Sequence, residues 1–142
     1  MVMPDPTATD AQRAGVADGI ALWNAAAATR LSVGGGSTDA QPPAPPIPTV
    51  PLHFQSAAGA FYGLYEPAVG QIFINVDLGG HPLAVTIAHE IGHAFGLVHI
   101  PASQRASLMN SGNLVTEPTP ADVATLDAHW GETCTTESGS GP

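Results

Sequence analysis

Three histidines and a carboxylate crowd into one eleven-residue run, His89-Glu90-Ile91-Gly92-His93-Ala94-Phe95-Gly96-Leu97-Val98-His99. On a helix, positions 89 and 93 lie one turn apart, so their side chains point within about 40° of each other and stand about 6 Å apart along the axis. Two imidazoles so placed can share one ion. Zinc takes nitrogen ligands at about 2.0 to 2.1 Å in tetrahedral geometry, and a reactive site leaves one of the four positions to water. Glu90 follows the first ligand, which puts its carboxylate beside the ion and within reach of that water. The ion lowers the pKa of the water toward about 7 and polarises a carbonyl. Glu90 can then remove the water's proton as it attacks and deliver it to a leaving amine.

His99 sets a geometric condition. On a continuing helix it would lie roughly 9 Å beyond His93 and about 120° around the axis, out of reach of the same ion. The chain must therefore leave the helix between them. Gly96 stands at that point, and glycine accepts the left-handed conformation that commonly ends helices. From this chain's own frequencies of His, Glu and Gly, the five fixed positions arise by chance with a probability of roughly 4 × 10⁻⁵. A purely structural role for three imidazoles and a carboxylate in an apolar helix would carry a large desolvation cost without a metal.

The run resembles the zinc-binding consensus of the metzincin clan of metallopeptidases, H-E-x-x-H-x-x-G-x-x-H followed by a methionine turn. Every position of that consensus is present. The resemblance implies that Met109, in Ser107-Leu108-Met109-Asn110, is the methionine of the turn, a hydrophobic floor beneath one catalytic zinc ion. Read alone, Met109 is an ordinary core residue. Within the clan the surroundings are most similar to bacterial matrixin-like enzymes, over about residues 10 to 130: a first helix bearing Trp23, a strand at Gln71 to Asn75, and a closing helix that begins Thr119-Pro120-Ala121-Asp122.

That likeness implies an α+β fold of the clan's α/β/α type. A small, mixed, twisted sheet would carry a first helix and an active-site helix, followed by a lower part with the methionine turn and a C-terminal helix. It also implies that Ala60, Phe61, Tyr62, Gly63, Leu64 and Tyr65 form an antiparallel edge strand that binds an extended substrate through main-chain hydrogen bonds. Gln71 to Val76 is the second candidate for that strand. Three features depart from the pattern: no strand is read before the first helix, no acidic calcium loop precedes the motif, and no cysteine switch stands near the start. A calcium requirement therefore stays open. Asp5 or Asp10 could cap the zinc from a short pro-segment, against ordinary flexible or helix-capping roles.

The elements that must position these residues can be read from periodicity. Val16, Ile20 and Trp23 lie on one face of a helix over Asp10 to Thr29, with Asp10 as its N-cap. Residues 34–51 are rich in Gly and Pro and read as a loop. Strands are expected at Val50 to Phe54, Ala60 to Tyr65 and Gln71 to Val76. The motif sits on a second helix from about Pro82 to Phe95, and a third helix runs from Thr119-Pro120 through Val123, Leu126 and Trp130. A chain of 142 residues makes one catalytic domain, 1–142, with 1–9 and 133–142 expected to be flexible.

Twelve acidic residues face three basic ones, Arg13, Arg30 and Arg105, for a net charge of -9. That balance excludes nucleic acid and an anionic membrane as partners, because both need clustered cations. A peptide or protein substrate is unopposed, and a monomer is expected. Cys134 is the only cysteine and makes no internal disulfide. No signal peptide is read at the start, although the clan resemblance implies secretion. His53, His81 and His129 fit no metal spacing and are expected at the surface or near helix ends. Tyr62 and Tyr65 are expected to pack on a strand, with a hydrogen bond to substrate as the alternative. These residues together read as a zinc-dependent endopeptidase cutting internal peptide bonds. A zinc-stabilised binding scaffold and a hydrolase of non-peptide amides are the alternatives, and the intact Glu90 favours catalysis.

Overall fold

A computed structural model describes residues 1–26, 49–56, 62–112 and 115–128. The order of elements is β1 (Val2–Pro4), α1 (Asp10–Ala26), β2 (Val50–Gln55), β3 (Gly63–Glu66), β4 (Gln71–Asn75) and α2 (Gly80–Ala94). A third helix, α3, comes after them at 120–128. The fold is α+β, as expected. Most of the Gly/Pro-rich loop (34–48), the tail 133–142, and Cys134, His129 and Trp130 lie outside the described residues.

The four strands form one sheet in the order β1-β2-β4-β3. β1, β2 and β4 run parallel, and β3 closes the edge antiparallel to β4. Two expectations are corrected here. A strand does precede the first helix: Val2 to Pro4 pair with Val50 to Leu52, so the segment 1–9 contains an ordered strand rather than only a flexible lead. The sequence hides it because three residues with a proline carry too little alternation to read. The Gly/Pro-rich stretch also ends earlier than 51, since Val50 and Pro51 belong to β2. Pro51 lacks an N–H, and it is tolerated next to the strand's start, before the pairing with β4 begins at Leu52.

Helix α1 begins with a reciprocal cap. The Thr9 side chain accepts from the Gln12 amide at 3.1 Å, and Gln12 Oε1 accepts from the Thr9 amide at 2.8 Å. Thr9, not Asp10, is therefore the N-cap, and Asp10 lies in the first turn, where its charge faces the helix dipole favourably. One face of α1 buries Val16, Ile20 and Trp23.

Helix α2 is buried on nearly every side: all ten residues from Leu83 to Gly92 are shielded from solvent. Such a helix belongs to the centre of a domain. It packs against α1 along one flank, against β3 and β4 on another, and on the loop bearing Leu108 and Met109. The core joins Val2, Leu52, Ile72 and Ile74 of the sheet to Val16, Ile20 and Trp23 of α1 and Leu83, Ile87 and Ile91 of α2. Each large apolar side chain so buried contributes about 1.5 to 3 kcal/mol.

Trp23 fixes the two helices to each other. It is fully buried, and its indole N–H donates to the Ala88 carbonyl at 2.8 Å, one residue before His89. Trp23→Phe keeps most of the packing and removes the donor. It is expected to lower stability by about 1 to 2 kcal/mol, read as an earlier urea midpoint with an unchanged slope. An unmoved midpoint would show that the indole bond contributes nothing.

Candidate metal centre

His89 and His93 leave α2 one turn apart, as their spacing requires, and α2 ends at Ala94. The residues just beyond it form a defined stop. Gly96 adopts φ 96°, its amide donates to the His93 carbonyl at 2.9 Å, and the Leu97 amide donates to the Gly92 carbonyl at 3.0 Å. This pair of bonds is the glycine-terminated helix cap of the Schellman type. The bend has two results. It turns His99 back toward the helix, and it aims the Leu97 carbonyl at His93, whose Nδ1 donates to it at 2.8 Å.

The three side chains meet. Nε2 of His99 lies 3.1 Å from Nε2 of His89 and 3.1 Å from Nε2 of His93. His89 is buried, His93 is intermediate and His99 is exposed, and all three offer a nitrogen within 4.8 Å of the others. Among the described residues, this is the one group of histidines, cysteines and carboxylates that could hold a metal ion.

The donor chemistry fits such an ion. Nδ1 of His89 donates to the Leu108 carbonyl at 2.7 Å, and a carbonyl can only accept, so the proton of each helical imidazole sits on Nδ1. The Nε2 atoms of His89 and His93 are then bare lone pairs facing one point. A proton on His99 could satisfy one of them, whereas a cation satisfies all three. Nitrogens on a tetrahedral zinc stand about 3.3 to 3.4 Å apart, given bonds of about 2.0 to 2.1 Å, and the observed separations come close to that.

Burial prepares the two helical imidazoles further. It lowers the His89 imidazole to about 4, with the Leu108 carbonyl opposing and the neighbouring histidines adding to the effect. Burial likewise lowers His93. Both rings are therefore neutral at pH 7, the form that binds metals.

Glu90 is 6% exposed, among the buried polar residues of the molecule. Burial raises its carboxyl to about 7, and a hydrogen bond from the backbone of Tyr65 acts in the opposite direction. Glu90, His93 and His99 open on one cleft of about 430 Å³, which Gly63, Leu64, Tyr65, Pro67, Leu97 and Val98 help to line. Among the described residues that line it, Glu90 is the only carboxylate.

The cleft's other wall is the edge strand. The Asn75 amide donates to the Tyr62 carbonyl at 2.9 Å, and with the register Gly63↔Ile74 and Tyr65↔Ile72, alternation turns the main-chain groups of Gly63 and Tyr65 away from β4. They face the outer edge of the sheet, which no other strand among the described residues covers, and there the Tyr65 amide meets Glu90. Of the six residues expected on the substrate strand, Gly63, Leu64 and Tyr65 belong to β3 and line the cleft, while Tyr62 precedes the strand and is 48% exposed. Ala60 and Phe61 lie outside the described residues. The second candidate, Gln71 to Val76, is corrected: β4 is paired on both sides and has no free edge.

Met109 is 1% exposed and lies against α2 at Gly92, where an added Cβ would stand 2.5 Å from its sulfur. Glycine at position 92 is thus what lets the methionine pack directly against the helix between His89 and His93. The loop from Pro101 to Asn110 is tied to the segment after His99. The Ile100 amide donates to Met109, and the Asn110 side chain donates to the carbonyls of Ile100 and Arg105.

The remaining candidates fall elsewhere. His53 stacks on Phe73 and lies 3.4 Å from Asp5, which is accordingly occupied away from the three histidines. His81 is exposed in the first turn of α2, which starts two residues earlier than expected. Sequence reasoning gave no role to Asp122, Leu108 or Leu97, although the last two supply the carbonyls that hold His89 and His93. Main-chain partners leave no trace in residue type. Asp122 could have been found as the fourth residue of a Thr-x-x-Asp cap, which is how it bonds Thr119. Compared with protein-family models and with curated proteins, the chain matches none.

Proposed function

We propose that this chain is a zinc-dependent endopeptidase of the metzincin type, with matrixin-like surroundings, in which His89, His93 and His99 hold one zinc ion and Glu90 moves the proton. The observation that carries the reading is the convergence of three imidazole nitrogens, two of whose rings line one open cleft together with a buried carboxylate. When bound, zinc would acidify water and polarise a substrate carbonyl.

The chain's own groups account for the rest. Glu90 combines burial with a carboxyl raised to about 7, so near neutral pH it can take a proton and hand it on at comparable cost in both directions. The Tyr65 amide holds that carboxylate from the strand side. An extended peptide fits the cleft because Gly63 and the Tyr65 carbonyl present outward main-chain groups for strand addition. Leu64 is 46% exposed on one side and Val98 69% on the other, which favours apolar side chains flanking the cut bond. A peptide or protein substrate, a monomeric enzyme and a secreted location complete the proposal. No helix among the described residues is long and apolar enough to cross a membrane.

The test is zinc-loaded protein incubated with casein and with a quenched peptide library, beside the same protein treated with a chelator. Cleavage at internal bonds, lost with the chelator and restored by zinc, is expected. Zinc-loaded protein that leaves every peptide intact would sink the peptidase reading, and turnover of simple amides alone would reassign the substrate.

A further inference from the structure

The His89 ring is held by the Leu108 carbonyl at 2.7 Å. The same residue's amide donates to Oδ2 of Asp122 at 2.8 Å. Leu108 is thus gripped at its two polar ends, by a candidate metal ligand and by the first turn of α3. Asp122 is itself locked. Its side chain is 1% exposed, Oδ2 also accepts from the Thr119 amide at 3.0 Å, and Oδ1 accepts from Arg105 at 2.9 Å and from the Ser107 hydroxyl. Four donors converge on one carboxylate.

We infer that Asp122 is a positioning residue for the metal centre, acting through the Leu108 peptide units on the tautomer and orientation of His89. The inference rests on the proposed metal reading and adds to it. Ser107, Leu108 and Met109 are all at most 1% exposed, so water cannot replace a displaced Leu108 carbonyl as the partner of Nδ1. A shift of that carbonyl must turn the imidazole or leave its N–H unpaired, and either change misdirects Nε2. His93 provides an internal contrast, because the carbonyl that holds it belongs to the cap of α2 and owes nothing to Asp122.

Asp122→Asn preserves size but turns one acceptor into a donor that faces other donors. It is expected to weaken zinc binding about tenfold or more, the range seen when outer partners of a ligand are lost. Binding is read by competition with a chromogenic chelator, and the visible absorption of the cobalt(II) form should change in position or intensity. Leu126→Ala, also on α3 and buried, controls for general loss of stability. It should unfold earlier yet keep wild-type zinc affinity and cobalt spectrum.

Asp122→Asn with unchanged affinity and spectrum overturns the inference, as does Leu126→Ala losing zinc to the same degree. Should Asp122→Asn fail to fold, Ser107→Ala decides, since it removes one donor from Oδ1, where Arg105 remains, together with the acceptor of the Met109 amide, and so loosens the same grip on the Leu108 segment. A several-fold weaker zinc affinity supports the inference, and an unchanged one overturns it. Wild-type protein that binds neither zinc nor cobalt overturns the metal reading itself, an outcome distinct from tight wild-type binding that Asp122→Asn leaves untouched.

Discussion

Zinc-loaded Glu90→Gln is expected to cleave peptides about 10² to 10⁴ times more slowly than the wild type, the range for loss of a positioned general base, while binding zinc as tightly. Glutamine has nearly the shape of glutamate and can still occupy the cleft beside His93 and His99, but it cannot accept a proton at either terminal atom. The Glu90 carboxyl is buried, so replacing it with a neutral amide removes a desolvated titrating group and should not destabilise the fold. On the proposed reading the fall should appear in kcat, with KM little changed, because the strand edge and the apolar rim, and not Glu90, would bind the peptide. Equal rates for the variant and the wild type would remove Glu90 from the chemistry. Loss of zinc together with rate would make Glu90 a ligand instead of a base.

The second large effect is expected at His99. Its ring is exposed, and its Nε2 is the atom that both other candidate ligands face. His99→Ala should cost little folding stability, within about 0.5 kcal/mol for a surface position. It should nonetheless weaken zinc binding by more than about 100-fold, since losing a ligand exceeds the loss of an outer partner. This contrast separates a metal ligand from a structural histidine, which would show the opposite balance. Unfolding curves recorded without metal and zinc titrations of the same two proteins provide the comparison. A His99→Ala protein that binds zinc like the wild type would leave two imidazoles and some other group as the site.

How much of this was legible in the sequence differs from one residue to the next. The helix under His89 and His93, the bend at Gly96 and the return of His99 come from helix geometry and the conformational freedom of glycine, and the observed φ of 96° at Gly96 answers to that argument. The apolar content of Gln71 to Asn75 marked a strand. Its neighbours could not be read from it, because register and order depend on pairings between segments distant in the chain. That is why β4 could stand as a candidate edge until the order β1-β2-β4-β3 placed it inside. Val2–Pro4 was missed because so short a strand is stabilised by its partner β2 and not by its own pattern. The groups that hold the candidate ligands were the least legible. The carbonyls of Leu97 and Leu108 belong to a backbone that every residue has, and only folding assigns them to His93 and His89.

The packing of Met109 against Gly92 also decides how the molecule meets oxidants. A thioether is converted to its sulfoxide where peroxide can reach the sulfur. Met109 is 1% exposed, whereas Met3 is 37% exposed on the sheet. Mild peroxide should accordingly mark Met3 long before Met109, as peptide mass mapping would record. The side chain at the heart of the fold is thereby spared, and damage falls first on a thioether at the far edge strand.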